Sequence, residues 1–358
     1  MKNIYHIAEN VSYKSGGVRS ILLLLNNYLN NNGLNSNIIT NLKEETDNFI
    51  LFKSNNPWFY QKEIKSYLEK LDNDSLFHLH GTYTYSQFIS SEVALKKSIP
   101  YILSPHGMLE PKVLYKNSLK KKVYLKIILN KIIKNANYLH CITPIEKDNL
   151  FKLTNHKNIV EIPNLIDFNS IPNNLEFNPF DDYFLFIGRP DKIKGLELLI
   201  NSFALLENNS TKLKIVGPET DYTLFLKQLV NNLGLKNKVE FLGAIFNEEK
   251  YKLIANARAV VVPSYSEVIG MVNLEASACK TPVITTHQTG LSKEFANNGG
   301  VLLNPNLIEL KAALQNSLSW NKNERVDRGN LLQKFIFEHY SWEKKGHLWS
   351  ELYGHFNS

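Results

Sequence analysis

Cysteine is scarce in this 358-residue sequence, and long apolar runs are absent. The two cysteines, Cys141 and Cys279, lie far apart and show no metal-ligand spacing, so a disulfide scaffold is not expected and a reducing cytoplasm fits. A helix that spans a bilayer needs roughly 18 consecutive apolar residues, and no segment approaches that length. The first residues, MKNIYHIAENVS, lack the apolar core of a signal peptide and predict a first strand.

The length and the balance of residue types predict a soluble protein of two domains. A chain of 358 residues is too long for one ordinary core. Hydrophobic residues make up 43% of the chain and charged residues 21%, and both values are normal for a globular protein. The net charge of +7 arises from 41 basic and 34 acidic residues, a modest excess whose location matters more than its size.

Part of the basic excess lies between Lys112 and Lys134, a segment without acidic residues. Apolar side chains recur there at helical spacing with lysines between them, which predicts a basic amphipathic helix. The apolar positions are Leu119, Val123, Tyr124, Ile127, Ile128 and Ile132. Such a helix can lie on a membrane surface or dock on its own domain with a solvated lysine face, and the sequence leaves both open. No motif for nucleic acid accompanies the lysines, so a nucleic acid is not an expected partner.

Short apolar strands alternate with helical segments along the chain, a pattern typical of parallel α/β sheets. The alternation restarts at Tyr183 after a stretch rich in Pro and Asn, residues 171–182, which we interpret as a linker. We therefore predict one doubly wound domain over residues 1–170 and a second over residues 183–335. The last segment, residues 336–358, predicts an aromatic-rich amphipathic helix running from His339 to Tyr353.

The most informative stretch runs from Ala259 to Thr286. It predicts a buried strand, a polar loop and a helix, and such a loop lies at the carboxyl edge of a parallel sheet, where open α/β folds bind ligands. Glu267 in the loop and Glu275 in the helix are eight residues apart. Carboxylates suit sugar hydroxyls, whereas the free N–H groups of the helix amino terminus suit a phosphate. The alternative at each position is a capping or solvated charge.

A similar strand–loop–helix unit begins at Tyr183, with Arg189 and Lys194 in its loop. Arginine offers a planar fork for two oxygens, lysine offers a compact charge, and the helix dipole adds to both. This loop therefore suits a diphosphate, and the alternative is two solvated cations.

The first half carries candidate ligand residues at its predicted strand ends. Gly16 and Gly17 follow the first strand, where two glycines let the backbone approach a ligand and leave N–H groups free, although a plain turn also uses them. His80 follows the strand that begins at Leu76, and His106 and Glu110 follow the next. Both histidines thus fall on the same edge of the predicted sheet, although a lone histidine is usually structural.

Three segments resemble glycosyltransferase family 4: the run PSYSEVIGMVNLEA from Pro263, the Gly-Arg-x-x-x-x-Lys-Gly run from Gly188, and Ser-Pro-His-Gly-Met-Leu-Glu-Pro around His106. The resemblance covers essentially the whole chain. It implies the GT-B fold, in which two Rossmann-like parallel-sheet domains face each other across a deep cleft. It also implies that the terminal helix, residues 336–358, crosses back to cover the first domain. The chain departs from the family pattern at Val268 and Lys280, where the family commonly has glycine, and loses no proposed functional side chain there.

The resemblance also implies a role for each candidate residue. Arg189 and Lys194 would neutralise the departing diphosphate, Glu267 would hold hydroxyls of the donor sugar, and Glu275 would hold the ribose hydroxyls. The remaining donor-binding positions are Gly16, Gly17, Gly217, Ile269, Gly270 and Met271. His106 would contact the sugar near the reacting carbon and would act with Glu267, Arg189 and Lys194 as the catalytic set. His80 and Glu110 would lie on the acceptor side.

The implied reaction moves a sugar from a UDP- or GDP-linked donor to a hydroxyl of a saccharide acceptor, with the anomeric configuration retained. No metal and no cofactor is expected. The Asp-x-Asp pattern of metal-dependent transferases occurs only at Asp72-Asn73-Asp74, in a segment whose structure the sequence does not predict clearly. A lipid-linked acceptor in bacterial lipopolysaccharide, capsule or other surface polysaccharide assembly is expected, on the cytoplasmic side, with peripheral contact to the inner membrane through Lys112–Lys134. The alternatives are a different GT-B enzyme, such as a nucleotide-sugar epimerase or a phosphorylase, and a non-catalytic peripheral membrane scaffold.

Overall fold

The computed structural model of the protein describes residues 3–12, 17–54, 56, 58–111, 124–172, 175, 182–207 and 210–356. By its contacts the chain forms two compact units: unit 1 comprises Met1–Asn164 and Gly346–Ser358, and unit 2 comprises Leu165–Lys345. The linker predicted over residues 171–182 lies mostly outside the described residues.

Unit 1 is built on a seven-stranded sheet. Its strands are β1 (Ile4–Asn10), β2 (Ser36–Leu42), β3 (Ile50–Leu51), β4 (Leu76–His80), β5 (Tyr101–Ser104), β6 (Tyr138–Cys141) and β7 (Ile159–Glu161). All neighbours run parallel, in the order β3-β2-β1-β4-β5-β6-β7. The order reverses between β1 and β4, and in open α/β folds the carboxyl edge at such a reversal is where ligands bind.

Helices connect the strands of unit 1. They are α1 (Gly17–Asn31), α2 (Lys62–Lys70), α3 (Tyr85–Lys97), α4 (Asn130–Asn135) and α5 (Pro144–Thr154). The start of α5 shows why such segments become helical: the Thr143 side chain accepts the backbone N–H of Glu146 at 3.1 Å, and Pro144 occupies the first turn.

The two faces of this sheet differ in chemistry. One face is apolar and packs beneath helices; its fully buried members include Ile7, Phe77, Leu79, Leu103 and Leu139. The opposite face carries polar side chains on four adjacent strands; they are His6, His78, His80, Ser104 and His140. The register pairs His6 with His78 and His80 with Ser104 across neighbouring strands, which brings these side chains together.

The described part of the predicted basic helix is docked on unit 1. A π-helical turn, Leu125–Leu129, leads into α4. Ile132 is buried in the core of unit 1, whereas Ile127 is 66% exposed. Grouping Ile127 with the apolar face is therefore wrong, because Ile127 and Ile132 are five positions apart, which places them about 140° apart around a helix with 3.6 residues per turn. Residues 112–123, which include five lysines of the predicted basic helix segment, lie outside the described residues.

Unit 2 is built on a six-stranded sheet. Its strands are β8 (Tyr183–Ile187), β9 (Lys212–Val216), β10 (Val239–Phe241), β11 (Ala259–Val262), β12 (Val283–Thr286) and β13 (Val301–Leu303). All neighbours again run parallel, in the order β10-β9-β8-β11-β12-β13. This is the order of the first six strands of unit 1, and it reverses between β8 and β11.

The helices of unit 2 continue the alternation. They are α6 (Leu196–Ala204), α7 (Asp221–Asn232), α8 (Asn247–Asn256), α9 (Met271–Ala278), α10 (Glu294–Asn297), α11 (Leu307–Leu318), α12 (Lys322–Tyr340) and α13 (Trp342–Lys345). No helix in the part of the chain that the structure describes is both long and apolar enough to cross a bilayer. The prediction of two doubly wound parallel-sheet domains is confirmed.

The end of the chain is not the single helix that the sequence predicts. α12 ends at Tyr340, Ser341 is extended, and after α13 a separate helix, α14 (His347–Gly354), belongs to unit 1. The break occurs because Ser341 forms an isolated parallel bridge with Ile166, which is incompatible with helical backbone angles at that residue. In unit 1 the buried residues Trp349 and Tyr353 of α14 cover the polar face of the sheet.

Candidate functional site

The loops that follow β8 and β11 meet at the point where the strand order of unit 2 reverses. After β8 the chain forms a short 3-10 turn, Lys192–Lys194, and passes through Gly195 with φ of 72°. A Cβ at Gly195 would lie 2.2 Å from the carbonyl oxygen of Pro263, so only glycine allows the two loops to approach this closely. This contact places the basic loop beside the loop that carries Glu267.

The predicted residues Lys194 and Glu267 form an ion pair. Their side chains are 27% and 18% exposed, respectively, so each charge remains partly accessible. Arg189 is exposed and forms no ion pair with any residue in the described ranges. The structure thus supplies one cation held by a carboxylate and one cation available to a ligand.

The loop before α9 is strained where a ligand site is expected. Ile269 is 1% exposed and has φ of 66°, a conformation that β-branched residues rarely adopt, and Gly270 follows with φ of 68°. The backbone N–H of Ile269 donates to Thr289 at 2.7 Å, and that of Gly270 donates to Val268 at 2.9 Å. Both N–H groups are therefore bonded within the protein, and the donor-binding role of Ile269 and Gly270 stays a prediction. Met271 begins α9 and keeps its place at the helix amino terminus.

Glu275, the second predicted carboxylate, is held by a residue that sequence reasoning did not single out. Lys250 in α8 donates to Glu275 Oε1 at 2.8 Å, and each side chain is 19% exposed. Burial lowers the pKa of Lys250, but the charge and hydrogen bond of Glu275 outweigh burial, and the net shift is upward. Both predicted glutamates are therefore paired with a lysine from another element.

Gly217 lies at the end of β9, where a Cβ would meet the carbonyl oxygen of Gly188 at 2.2 Å. The backbone N–H of Gly188 donates to Val216 at 3.0 Å, and that of Gly217 donates to Gly243 at 2.8 Å. Close packing of adjacent strand ends therefore requires glycine at this position. The backbone N–H of Gly217 is already bonded within the protein and is not available to the donor substrate.

In unit 1 a buried carboxylate anchors the loop that contains His106. Glu146 is 2% exposed; its Oε1 accepts the backbone N–H of Gly107 at 2.7 Å, and its Oε2 accepts that of Ile142 at 2.8 Å. Burial raises the pKa of Glu146 to about 7, although the two backbone hydrogen bonds favour the ionised form. Glu110 in the same loop accepts from Asn149 Nδ2 at 2.7 Å, so α5 holds the loop at two points.

Imidazoles form a hydrogen-bonded network on the polar face of the unit 1 sheet. His106 Nε2 lies 2.9 Å from His80 Nδ1, and His80 Nε2 lies 3.0 Å from His6 Nδ1. His80 is 2% exposed and both its nitrogens are bonded, so this geometry leaves it no nitrogen for an acceptor. The placement of His80 on the acceptor side stays a prediction, and a direct hydrogen bond from His80 to the acceptor sugar would have to replace one of these contacts.

Burial also keeps these imidazoles neutral. It lowers the pKa of His6 and of His106 to about 3, and that of His140 to about 4. Burial and neighbouring imidazoles lower the pKa of His78 and of His80 well below the ordinary value. The five groups are uncharged at neutral pH.

His6, His78 and His80 are also grouped closely enough to be considered as a metal site, with ligand atoms within 4.8 Å of one another. His78 bonds Tyr353 at 2.7 Å and Ser104 at 2.6 Å, so of the six ring nitrogens only Nε2 of His6 has no partner in the described part of the chain. A metal ion would have to displace existing hydrogen bonds. The donor set therefore fits a hydrogen-bonded network better than a metal centre.

Two of the predicted donor-binding residues are glycines near the start of α1, and two further residues of the sites were not predicted as functional. Gly16 lies outside the described residues, and Gly17 is the exposed first residue of α1. Glu146 stands in a Thr-Pro-x-Glu helix start, a local signal that predicts the cap but not the carboxylate's use on Gly107. Lys250 has no local signal, since its partner is 25 residues away on another helix.

Two family models match the chain in succession. The model described as Glycosyltransferase Family 4 matches residues 15–170, and the model described as Glycosyl transferases group 1 matches residues 167–333. Together they span every site residue that was predicted from the sequence.

The chain is also similar to individual proteins. The O-antigen chain mannosyltransferase RfbU of Salmonella typhimurium is 32% identical over 194 residues, which are 53% of this chain and 53% of that protein. The chain spans about half the length of the curated relatives it matches. Sucrose-phosphate synthase of Thermosynechococcus elongatus superposes with a TM-score of 0.81 at 20% identity, covering 99% of both chains. HepE of Anabaena, in complex with UDP and glucose, superposes with a TM-score of 0.78 at 17% identity over 99% of this chain and 100% of that chain. At these identities the structural likeness establishes the fold.

Proposed function

Because the chain belongs to glycosyltransferase family 4, we propose that it transfers a hexose from a nucleoside-diphosphate sugar to a hydroxyl of a saccharide acceptor. The anomeric configuration is retained and no metal ion takes part. The observation that carries the proposal is the pair of lysine–glutamate contacts, Lys194 with Glu267 and Lys250 with Glu275, at the carboxyl edge of the unit 2 sheet. A UDP-linked donor is supported by the Anabaena protein of similar fold, whose structure contains UDP and glucose, and a GDP-linked donor is the alternative.

The diphosphate of the donor binds Arg189 and Lys194. Arg189 is exposed without an ion pair in the described ranges, so its guanidinium can take two phosphate oxygens without losing an existing contact. Lys194 is held at its place by Glu267, which keeps the ammonium in the loop at the reversal of strand order. As the bond to the leaving group breaks, negative charge grows on the diphosphate, and these two cations stabilise it more in the transition state than before.

The two glutamates hold hydroxyls. Glu275 Oε1 is engaged by Lys250, which leaves Oε2 as acceptor for the ribose hydroxyls. Glu267 accepts from hydroxyls of the donor sugar. The role proposed for His106 of unit 1 is contact with a saccharide near the reacting carbon. We assign no covalent nucleophile: the acceptor oxygen bonds to the anomeric carbon on the face that the diphosphate leaves, and the acceptor proton passes to a departing phosphate oxygen.

The acceptor is a lipid-linked saccharide of a bacterial surface polysaccharide. The O-antigen mannosyltransferase with which the chain shares 32% identity supports such a pathway. Peripheral contact with an anionic membrane is assigned to the lysines of residues 112–134. Co-sedimentation with vesicles of phosphatidylglycerol and phosphatidylcholine, compared with phosphatidylcholine alone, tests this part: equal recovery in both pellets counts against the membrane contact and leaves the transferase intact.

The experiment that tests the function is a thermal-shift screen against UDP-, GDP-, ADP- and CMP-sugars. One nucleotide is expected to raise the melting temperature through preferential binding to the folded state, and Glu275→Ala is expected to abolish that rise. Glu324→Ala is the matched control, because Glu324 forms an ion pair with Arg328 on α12 and is not assigned to the donor site.

Turnover is tested with the donor that the screen identifies. Slow release of the nucleoside diphosphate without acceptor is expected, and Lys194→Met is expected to abolish it. Binding without any release would favour a non-catalytic scaffold, and an interconverted sugar in place of released nucleotide would favour an epimerase. No thermal shift with any donor would contradict the proposed function.

A further inference from the structure

Three imidazoles join the loop of His106 to the interior of unit 1 through two ring-to-ring hydrogen bonds. His106 Nε2 and His80 Nδ1 are 2.9 Å apart, and His80 Nε2 and His6 Nδ1 are 3.0 Å apart. The two ring nitrogens at the ends of this row of imidazoles, His106 Nδ1 and His6 Nε2, are buried and have no hydrogen-bond partner among the residues that the structure describes. A ligand that hydrogen-bonds to the His106 ring without breaking the ring-to-ring hydrogen bonds can therefore contact only Nδ1.

Neutral imidazole carries one N–H, and that constraint couples the three rings. Each of the two ring-to-ring contacts needs one N–H and one bare nitrogen. If His106 carries its proton on Nε2, then His80 and His6 must also carry theirs on Nε2. If His6 carries its proton on Nδ1, the other two must follow on Nδ1. Only these two arrangements keep both hydrogen bonds, and in each of them the three tautomers are the same.

The two arrangements differ in what they leave unpaired. In the Nε2–H arrangement the unpaired donor is His6 Nε2, in a side chain that is 0% exposed within the sheet. In the Nδ1–H arrangement the deep atom is a bare acceptor, and the unpaired donor is His106 Nδ1, in the loop at the carboxyl edge. Each arrangement thus leaves one buried N–H unpaired, which is costly. His6 is fully buried within the sheet, whereas His106 is partly exposed in a loop, so only the loop end can gain a partner from a ligand.

We propose that His6 and His80 are positioning residues that fix His106 in the Nδ1–H tautomer, so that His106 donates a hydrogen bond to a hydroxyl oxygen of the bound saccharide. The assignment of that ligand rests on the proposed function, whereas the shared tautomer rests on the geometry of unit 1 alone. His6 enters the site through His80 and has no contact with substrate of its own.

The direct test is nitrogen-15 NMR of the wild-type protein labelled at histidine, at pH 7 and without ligand. All three rings are expected to show a pyrrole-type Nδ1 and a pyridine-type Nε2. A protonated Nε2 on His106, or different tautomers among the three rings, would overturn the proposal. One zinc ion per chain in the purified protein, lost in His6→Phe, would overturn it as well, because a metal would replace the ring-to-ring bonds.

Two variants of His6 separate the hydrogen bond from simple packing. His6→Asn keeps an amide N–H near the position of Nδ1, so His106 is expected to remain in the Nδ1–H tautomer. His6→Phe keeps the ring volume and removes the donor, so part of the His106 population is expected to shift to Nε2–H. His78→Phe is the matched control: His78 is equally buried on the same face but bonds Tyr353 and Ser104, and His106 should not change. A similar shift in His78→Phe would overturn the coupling.

Activity supplies an independent readout. Loss of one neutral hydrogen bond corresponds to about a 3- to 10-fold lower kcat/KM with the donor, which we expect for His6→Phe and expect His6→Asn to restore. In a His106→Ala background, His6→Phe should have no further effect; an equal loss in both backgrounds would mean a merely structural role. If no donor is turned over, the proposed function fails. The tautomer measurement still tests whether the three imidazoles share one tautomer.

Discussion

The carboxylate of Glu146 accepts the backbone N–H of Gly107 at 2.7 Å, so a side chain of α5 fixes the loop that presents His106. The second carboxylate oxygen accepts from Ile142 at 2.8 Å, which ties the same group to the end of the adjacent strand. Since both donors are backbone groups, this anchoring does not depend on which side chain follows His106.

Removal of this carboxylate should destabilise the protein and loosen the His106 loop. The two backbone N–H groups left behind are buried, and a buried donor without a partner costs about 1–3 kcal/mol, so we expect Glu146→Ala to lower the free energy of unfolding by about 3 kcal/mol. Urea denaturation measures this loss. Glu161→Ala is the control, since Glu161 is 31% exposed and its ion pair with Lys147 is 3.7 Å long; it should cost less than about 1 kcal/mol. Equal losses in the two variants would contradict the anchoring role.

Lys250 should matter for the nucleotide although it lies outside the family motif. Without this cation the partly buried Glu275 carboxylate loses its counter-charge and the hydrogen bond that fixes its orientation, so it is less well placed to accept from hydroxyls. We expect Lys250→Met to weaken binding of the identified nucleotide by about 10-fold at pH 7, measured by calorimetry. The effect should shrink for the 2′-deoxy nucleotide, which lacks one of the hydroxyls concerned.

The control for this variant is Lys252→Met in the same helix, because Lys252 is 59% exposed and pairs with Glu248. Unchanged affinity is expected there. If Lys250→Met binds the ribonucleotide as tightly as the wild type, Lys250 does not support Glu275.

The sequence predicted the strands and the motif positions because both depend on local order. The Ala-Val-Val-Val run of β11 and the apolar run of β8 are buried on both faces of a parallel sheet, which produces a continuous apolar pattern. The ligand residues follow these strands directly, so their edge of the sheet was predictable. Lys194 and Glu267 come together for that reason, across the reversal of strand order.

Features that depend on distant contacts were not predictable in the same way. The break at Ser341 arises from pairing with Ile166, far away in sequence, and periodicity does not register it. The hydrogen bonds of the Ile269 and Gly270 N–H groups depend on the paths of neighbouring loops, and the sequence does not reveal these partners. His80 lies within β4 and has both nitrogens bonded to partners on other strands and loops, which a histidine at a predicted strand end does not reveal.

The buried imidazoles should make the protein sensitive to acid. Burial lowers the pKa of His6, His78, His80, His106 and His140 below the unfolded value of about 6.5, so the unfolded state binds more protons as the pH falls. Stability is thus fully present above about pH 6.5 and is lost below it, by up to about 1.4 kcal/mol per pH unit for each imidazole.

Glu146 works in the opposite direction, because its raised pKa makes the folded state bind an additional proton over the same range. The five imidazoles outnumber it, so a net loss of stability is expected between about pH 6.5 and 5. Fluorescence should report the transition, because Trp349 packs against His140 with ring centroids 4.7 Å apart. His78→Phe should flatten the dependence of unfolding free energy on pH by up to one imidazole's share, whereas the exposed His347→Asn should not. An unaltered slope in His78→Phe would contradict this origin of acid lability.

Gly195 should be among the least replaceable residues of unit 2. Gly195 and Gly234 have φ of 72° and 69°, so alanine at either position adopts a left-handed conformation that costs about 1–2 kcal/mol. At Gly234 a Cβ meets nothing within 4 Å, whereas at Gly195 it would lie 2.2 Å from the carbonyl oxygen of Pro263. The two alanine variants therefore share the backbone cost, and their difference isolates the steric contact between the two ligand loops.

We expect Gly195→Ala to be destabilised by at least about 1 kcal/mol more than Gly234→Ala in urea denaturation, and to lose nucleotide binding because Lys194 moves with its neighbour. Equal stability and equal nucleotide affinity in the two variants would mean that the loops do not need this approach.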